Sequence, residues 1–244
     1  MRINQYLAFH LGLSRRGAEE PVLKGQVKLN GKVVTELFTQ VTDDDQVEVF
    51  RFGKWEPISK TRNQTILVYK TPFIVTTHSD PEGRRTVYDL LPKKYGHLKS
   101  AGRLDFMSEG LLVLSTDGQL IQELTHPSRN HDKIYLVGLS RPLSEKAIFE
   151  MQSGELQLEE NILAPMKVES LSATEMQEWS FLKISPNLIW YKFTLSEGRN
   201  NQIRKVCQLF GNGVTRLIRV KQGQFFLNRE LMERKWLEVS AAKE

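Results

Sequence analysis

Apolar residues recur along the chain with periods that separate helices from strands. Ile3, Leu7 and Leu11 sit at helical spacing, and Gly12 closes that helix. Ser14 can cap a second helix that starts at Arg15 and carries Ala18, Val22 and Leu23 on one face. Pro21 should shorten or bend it, and Gly25 ends it. The segment 27–34 reads as a hairpin, because Asn30-Gly31 tolerates the positive φ angles of a type I′ turn. Asp43-Asp44-Asp45 forms a loop, and Val47 and Val49 alternate as a closing strand. Residues 51–64 are polar and broken by Gly53 and Pro57, which predicts a linker.

Beyond it, strands and helices alternate. Strands are expected at 66–69, 74–77, 111–114, 134–139, 188–195 and 214–220. Asp117 is placed to cap a helix over 119–124, which Pro127 stops, and 200–210 is a basic amphipathic helix ended by Gly211. The pattern is α+β, not regular βαβ winding. It divides the chain into 1–50, a linker 51–64 and a larger domain 65–244.

Composition narrows the class. Of 244 residues, 40% are apolar, too many for a disordered chain, and no apolar run reaches the roughly 20 residues that cross a bilayer. The lone Cys207 suits a reducing compartment, so a soluble cytoplasmic protein is expected. The net charge of +5 is unevenly spread. Residues 199–221 hold six bases and no acid, and residues 1–34 hold six bases and two acids. Two solvated surfaces would account for this; so would two contacts with one polyanion. The five histidines show no zinc spacing with the cysteine, and neither a Walker loop nor a dinucleotide fingerprint is present.

Two segments could carry chemistry. In the first, Asp105 lies in a loop bounded by Gly102 and Gly110, just before the buried strand 111–114. Spacing alone favours a turn aspartate there. The second is Glu197-Gly198-Arg199-Asn200 with Gln202-Ile203-Arg204-Lys205, which by itself reads as a basic helix face.

Together these segments resemble a known family. Gly102-Arg103-Leu104-Asp105 with Glu109-Gly110-Leu111-Leu112 is similar to the catalytic motif of RsuA/RluB-type ribosomal RNA pseudouridine synthases. Lys133-Ile134-Tyr135, the segment 197–204 and Arg216-Leu217-Ile218-Arg219-Val220 with Gly223 resemble its further motifs, in order. Residues 14–32 resemble the alpha-L RNA-binding domain. The resemblance implies a small α/β N-terminal RNA-binding domain. It also implies a catalytic domain with a mixed, mainly antiparallel sheet and flanking helices.

The implied reaction isomerises uridine to pseudouridine. Asp105 is then the catalytic carboxylate, acting by covalent attack or by proton abstraction from the sugar. Arg204 becomes its ionic partner and Tyr135 the ring that stacks on the flipped base. Arg103 is the weaker partner, because neighbours on a strand point to opposite faces. Ile203 and Leu217 would form apolar walls. Arg15, Arg16, Lys28, Lys32, Arg199 and Lys205 are expected to meet RNA phosphates. No cofactor or metal is implied.

The expected partner is ribosomal RNA, at a uridine in a structured loop or stem-loop, or an assembly intermediate of the ribosome. A monomer without membrane association is expected. His126-Pro127-Ser128, the Trp190-Tyr191 strand and the segment 216–220 are more similar to the large-subunit branch than to the small-subunit one. A non-catalytic assembly factor and a DNA-binding helix-turn-helix regulator are the other classes; Asp105 argues against the first and the Asn30-Gly31 hairpin against the second. The sequence departs from the family's pattern at Thr71 and Phe73, where proline and glycine are usual, at Phe106-Met107, and at Pro21.

Overall fold

Local capping signals settle the first elements. The computed structural model describes residues 1–42, 44–58, 63–126 and 131–239, apart from the side chain of Arg15. Asp43, residues 59–62 of the expected linker, and Pro127 and Ser128 lie outside the described residues. Helix α1 (Ile3–Leu11) ends where Gly12 turns left-handed at φ 66°. In α2 (Arg15–Leu23) the Ser14 hydroxyl accepts from the Gly17 N–H, and the helix runs two residues past Pro21. Asn30 and Gly31, both at positive φ, turn β1 (Val27–Leu29) into β2 (Lys32–Val33).

The linker starts later than expected. Residues 54–57 form strand β4 (Lys54–Pro57), paired antiparallel with β3 (Val47–Arg51) through a turn at Phe52 and Gly53. Ile58 then joins Ile3, Leu7, Val22 and Val49 in the core. β4 reads as linker in the sequence because it is an edge strand whose side chains stay half-buried or exposed. The chain accordingly separates into units 1–63 and 64–244.

The second unit is built on a mixed sheet. Its strands are β5 (Thr65–Lys70), β6 (Lys99–Ser100), β7 (Glu109–Ser115), β8 (Lys133–Leu139), β9 (Gln157–Leu158), β10 (Asn161–Ile162), β11 (Lys167–Ser170), β12 (Ile189–Leu195), β13 (Val214–Gln222), β14 (Phe225–Phe226) and β15 (Trp236–Val239). The main order is β11-β12-β8-β13-β7-β5-β15, with β9 and β10 a separate pair. Along that path only β13 against β7 is parallel, so the sheet is mixed and mainly antiparallel, as expected.

Helices α3 (Gly118–Thr125), α4 (Glu145–Ser153), α5 (Ala173–Glu178), α6 (Gln202–Leu209) and α7 (Arg229–Arg234) flank it. Strand alternation divides the core. Val137, Phe193 and Leu217 pack with Ala147, Met151 and Val206 of α4 and α6. Their neighbours Leu136, Trp190 and Ile218 pack with Leu124 and Leu231 of α3 and α7. Burying each large apolar side chain contributes about 1.5–3 kcal/mol.

Two details shape the surroundings of Asp105. The strand expected at 74–77 is reduced to one bridge, Val75 to Thr86. Phe73 adopts φ 63°, which turns the chain out of the sheet, and Thr76 bonds instead to Leu104. Where β13 meets β7, Gly110 faces Arg219 so closely that a Cβ would sit 2.3 Å from the Arg219 carbonyl oxygen. Only glycine fits there, and its φ of 112° adds a second reason.

Candidate active site

Between β6 and β7 the chain makes a loop, 101–108, that does not run into regular structure on its own. Its backbone carbonyls are instead captured one by one. The Gln222 amide donates to the Ala101 carbonyl at 2.7 Å, and Arg219 Nη1 to Arg103 at 3.4 Å. The Thr76 hydroxyl donates to Leu104 at 3.0 Å. Lys70 Nζ donates to Asp105 at 3.0 Å and to Ser108 at 2.6 Å. The Phe73 N–H donates to Phe106 at 2.8 Å, and Arg204 Nη2 to Met107 at 3.1 Å. Every carbonyl from 103 to 108 therefore has a donor. Such a backbone is held by groups from β5, α6 and β13, and Asp105 is presented from it half-buried.

Asp105 lines a cavity of about 130 Å³ together with Tyr135, Ile203, Leu217 and Arg199. The structure thus brings together the carboxylate, the aromatic ring and both apolar walls named from the sequence. Tyr135 on β8 is half-buried, opposite Phe193 and Arg219 in its neighbouring strands. Leu217 and Ile203 come from β13 and α6.

Arg204 does not meet Asp105 as a contact ion pair. Among the described residues no carboxylate lies within 4 Å of it. Its Nη1 donates to the Val214 carbonyl at 2.8 Å, Nη2 to Met107, and Nε is buried without a partner. The arginine holds the loop that carries Asp105 and interacts with the carboxylate only through its field. Burial lowers its pKa, and the Asp105 charge opposes that shift.

Lys70 is fully buried, and its pKa is pushed down to about 8, first by burial, with the Arg219 charge adding to it and Asp105 and Glu109 opposing. Lys133, also on the cavity wall, is lowered by burial and then by Arg219. Arg219 is 2% exposed, and its Nε donates to the Leu111 carbonyl at 2.8 Å. Sequence reasoning gives Lys70, Thr76, Arg219 and Gln222 no place in the site. The only signal is their positions near motif residues, and none of those positions says that the side chain is buried.

The other basic residues fare differently. Arg216 is engaged with Glu109 at 2.6 Å, and Tyr69 donates to the same carboxylate at 2.6 Å. Lys205 pairs with Glu159 at 2.6 Å on the surface. Arg199 pairs with Glu197 at 3.2 Å yet stays exposed on the cavity rim. In the first unit, Arg16 and Lys32 are exposed and Lys28 lies 4.1 Å from the Trp55 ring centre. The Arg15 side chain is outside the described residues. Cys207 is buried in the core, and burial raises its thiol to about 12. Among the described residues no group of three or more His, Cys, Asp or Glu could hold a metal ion, and no helix is long and apolar enough to cross a membrane.

Comparison with known proteins agrees with both units. Residues 64–209 match the RNA pseudouridylate synthase family model, and residues 1–47 match the S4 domain. The chain is 34% identical over 93% of its length to "Ribosomal large subunit pseudouridine synthase B" of Bacillus subtilis, covering 86% of that protein. It is 32% identical over 94% of its length to the protein of the same name from Salmonella typhimurium, covering 76% of it. A crystal structure of a pseudouridylate synthase superposes with a TM-score of 0.64 at 26% identity, over 98% of this chain and 96% of the other. Loop, cavity and sheet order thus have a common explanation: the chain belongs to the RNA pseudouridylate synthase family and begins with an S4 domain.

Proposed function

We propose that this protein isomerises uridine to pseudouridine in large-subunit ribosomal RNA. The observation that carries the reading is the pinned loop. A half-buried carboxylate stands on a backbone whose every carbonyl from 103 to 108 is engaged, in a cavity that also presents a tyrosine and two apolar walls. A nucleobase drawn out of its stack needs such a cavity, with an aromatic face to receive it. Asp105 starts the reaction at the nucleotide, Tyr135 stacks on the base, and Arg204 acts as a positioning residue through the loop. Cations around the loop favour a negative charge developing near it. The names of the relatives support ribosomal RNA of the large subunit over that of the small one.

The S4 domain, with Arg16, Lys28 and Lys32, contributes affinity for a stem-loop or an assembly particle, and the protein acts as a monomer in the cytoplasm. The test is tritium release from large-subunit ribosomal RNA labelled at uridine C5. Wild type releases tritium and Asp105→Asn releases essentially none. Equal release by both would remove Asp105 from the mechanism, and RNA binding without release by wild type would favour an assembly factor.

A further inference from the structure

Beside the cavity, the chain carries aromatic side chains for which the fold has no use. Phe73 holds φ 63°, a conformation in which a bulky side chain is strained and glycine is at ease. Its ring is 61% exposed, so little burial compensates for the strain. Phe106, the residue after Asp105, is 37% exposed. The two rings meet edge to face with centres 5.7 Å apart, and the Phe73 N–H bonds the Phe106 carbonyl. The Arg84 guanidinium lies 5.8 Å from the Phe106 ring centre and is itself clamped by Asp80 and Glu82. Phe106, Arg84 and Arg103 line a hollow that shares Asp105 with the catalytic cavity.

An exposed aromatic pair, with the Arg103 guanidinium lining the adjoining hollow, matches one kind of occupant: a flat base attached to an anionic backbone. Because the hollow adjoins the cavity at Asp105, that base belongs to the same strand as the nucleotide in the cavity. We propose that Phe73 and Phe106 form a stacking step for an unpaired base flanking the target uridine. Arg103 meets its phosphate, whereas Arg84 is already held by two carboxylates. The proposal rests on the reading of Asp105 given above and adds a determinant of which RNA context is accepted. Strain at Phe73 then has a reason, since the ring is kept where only the ligand uses it.

The test uses the full chain and a large-subunit ribosomal RNA transcript tritiated at uridine C5. Phe106→Leu keeps an apolar side chain but loses the ring, and Phe73→Gly removes a ring while relieving the backbone. Each should lower kcat/KM roughly tenfold, mainly through KM. Phe106→Tyr, which keeps a ring, should recover most of that loss. Phe73→Gly should melt no lower than wild type, so its loss cannot be put down to misfolding. Unchanged kcat/KM in both Phe106→Leu and Phe73→Gly would overturn the proposal, as would equal losses in Phe106→Leu and Phe106→Tyr. If wild type releases no tritium, the catalytic reading fails separately. Filter binding of the same transcript then decides the step: tenfold weaker binding by Phe106→Leu but not by Phe106→Tyr supports it, and equal binding by all variants overturns it.

Discussion

The chain has two basic stretches, 1–34 and 199–221, each with six Lys or Arg residues, and their bases are used differently. In the first, the Arg16 and Lys32 side chains are exposed and make no hydrogen bond or ion pair with the described residues, while Lys24 pairs with Glu20 on the surface. In the second, Arg204 and Arg219 hold backbone carbonyls, Arg216 holds Glu109, and Lys205 holds Glu159. Equal counts of charge therefore hide a division between charge left on the surface and charge consumed in building the site. A basic run becomes informative only when it is known what each cation already touches.

The sharpest way to break this comparison is at Arg219. Arg219→Met removes a buried donor and leaves the Leu111 and Arg103 carbonyls without it. Breaking such a buried charged interaction should destabilise by about 3 kcal/mol, lowering Tm by roughly 10 °C in a unit of this size. A calorimetric Tm within 2 °C or so of wild type would show that Arg219 is not structural.

Lys70 gives a smaller effect with a pH signature. Its pKa falls from its ordinary 10.5 to about 8, first because of burial. The unfolded chain binds this proton more tightly than the folded one, so its contribution to stability rises with pH between about 8 and 10.5. Activity should move the other way. As pH rises through about 8, the ammonium that holds the Asp105 and Ser108 carbonyls loses its charge, and kcat should decline. In Lys70→Met, kcat should be several-fold lower at pH 7 and lack that alkaline limb. A limb that persists in the variant would assign it to another group.

The least disruptive test is on the first stretch. Arg16→Ala with Lys32→Ala should leave Tm unchanged and weaken RNA binding several-fold. The slope of log affinity against log salt should fall by about 0.7–0.9 for each phosphate no longer neutralised. A drop in Tm instead of in affinity would erase the contrast between the two stretches.

Much of the fold is legible in the sequence because its signals are local. Ser14 and Asp117 cap the helices they precede, and Asn30-Gly31 turns the hairpin. The motif order leads to Asp105, Tyr135, Ile203 and Leu217, which do share a cavity. The hidden features depend on distant partners. Residues 54–57 read as linker because their pairing with 48–51 buries so little of them. The family resemblance implies Arg204 as an ion-pair partner, whereas its donors are taken by the carbonyls of Met107 and Val214. Arg219 counts in the sequence only as one base of the segment 199–221, and the Leu111 and Arg103 carbonyls across the parallel β7–β13 pairing explain its burial.

The close approach at Gly110 has a consequence for how the molecule comes into being. Lys70, Phe73 and Thr76 leave the ribosome before Asp105, but the other groups that hold its loop come long after: Arg204 follows about a hundred residues later, then Arg219 and Gln222. Until β13 slots against Gly110, the nascent chain has its carboxylate but only part of the framework around it. Synthesis thus delays the reactive centre until most of the sheet can close, and the missing methyl at residue 110 is the clearance that lets β13 in.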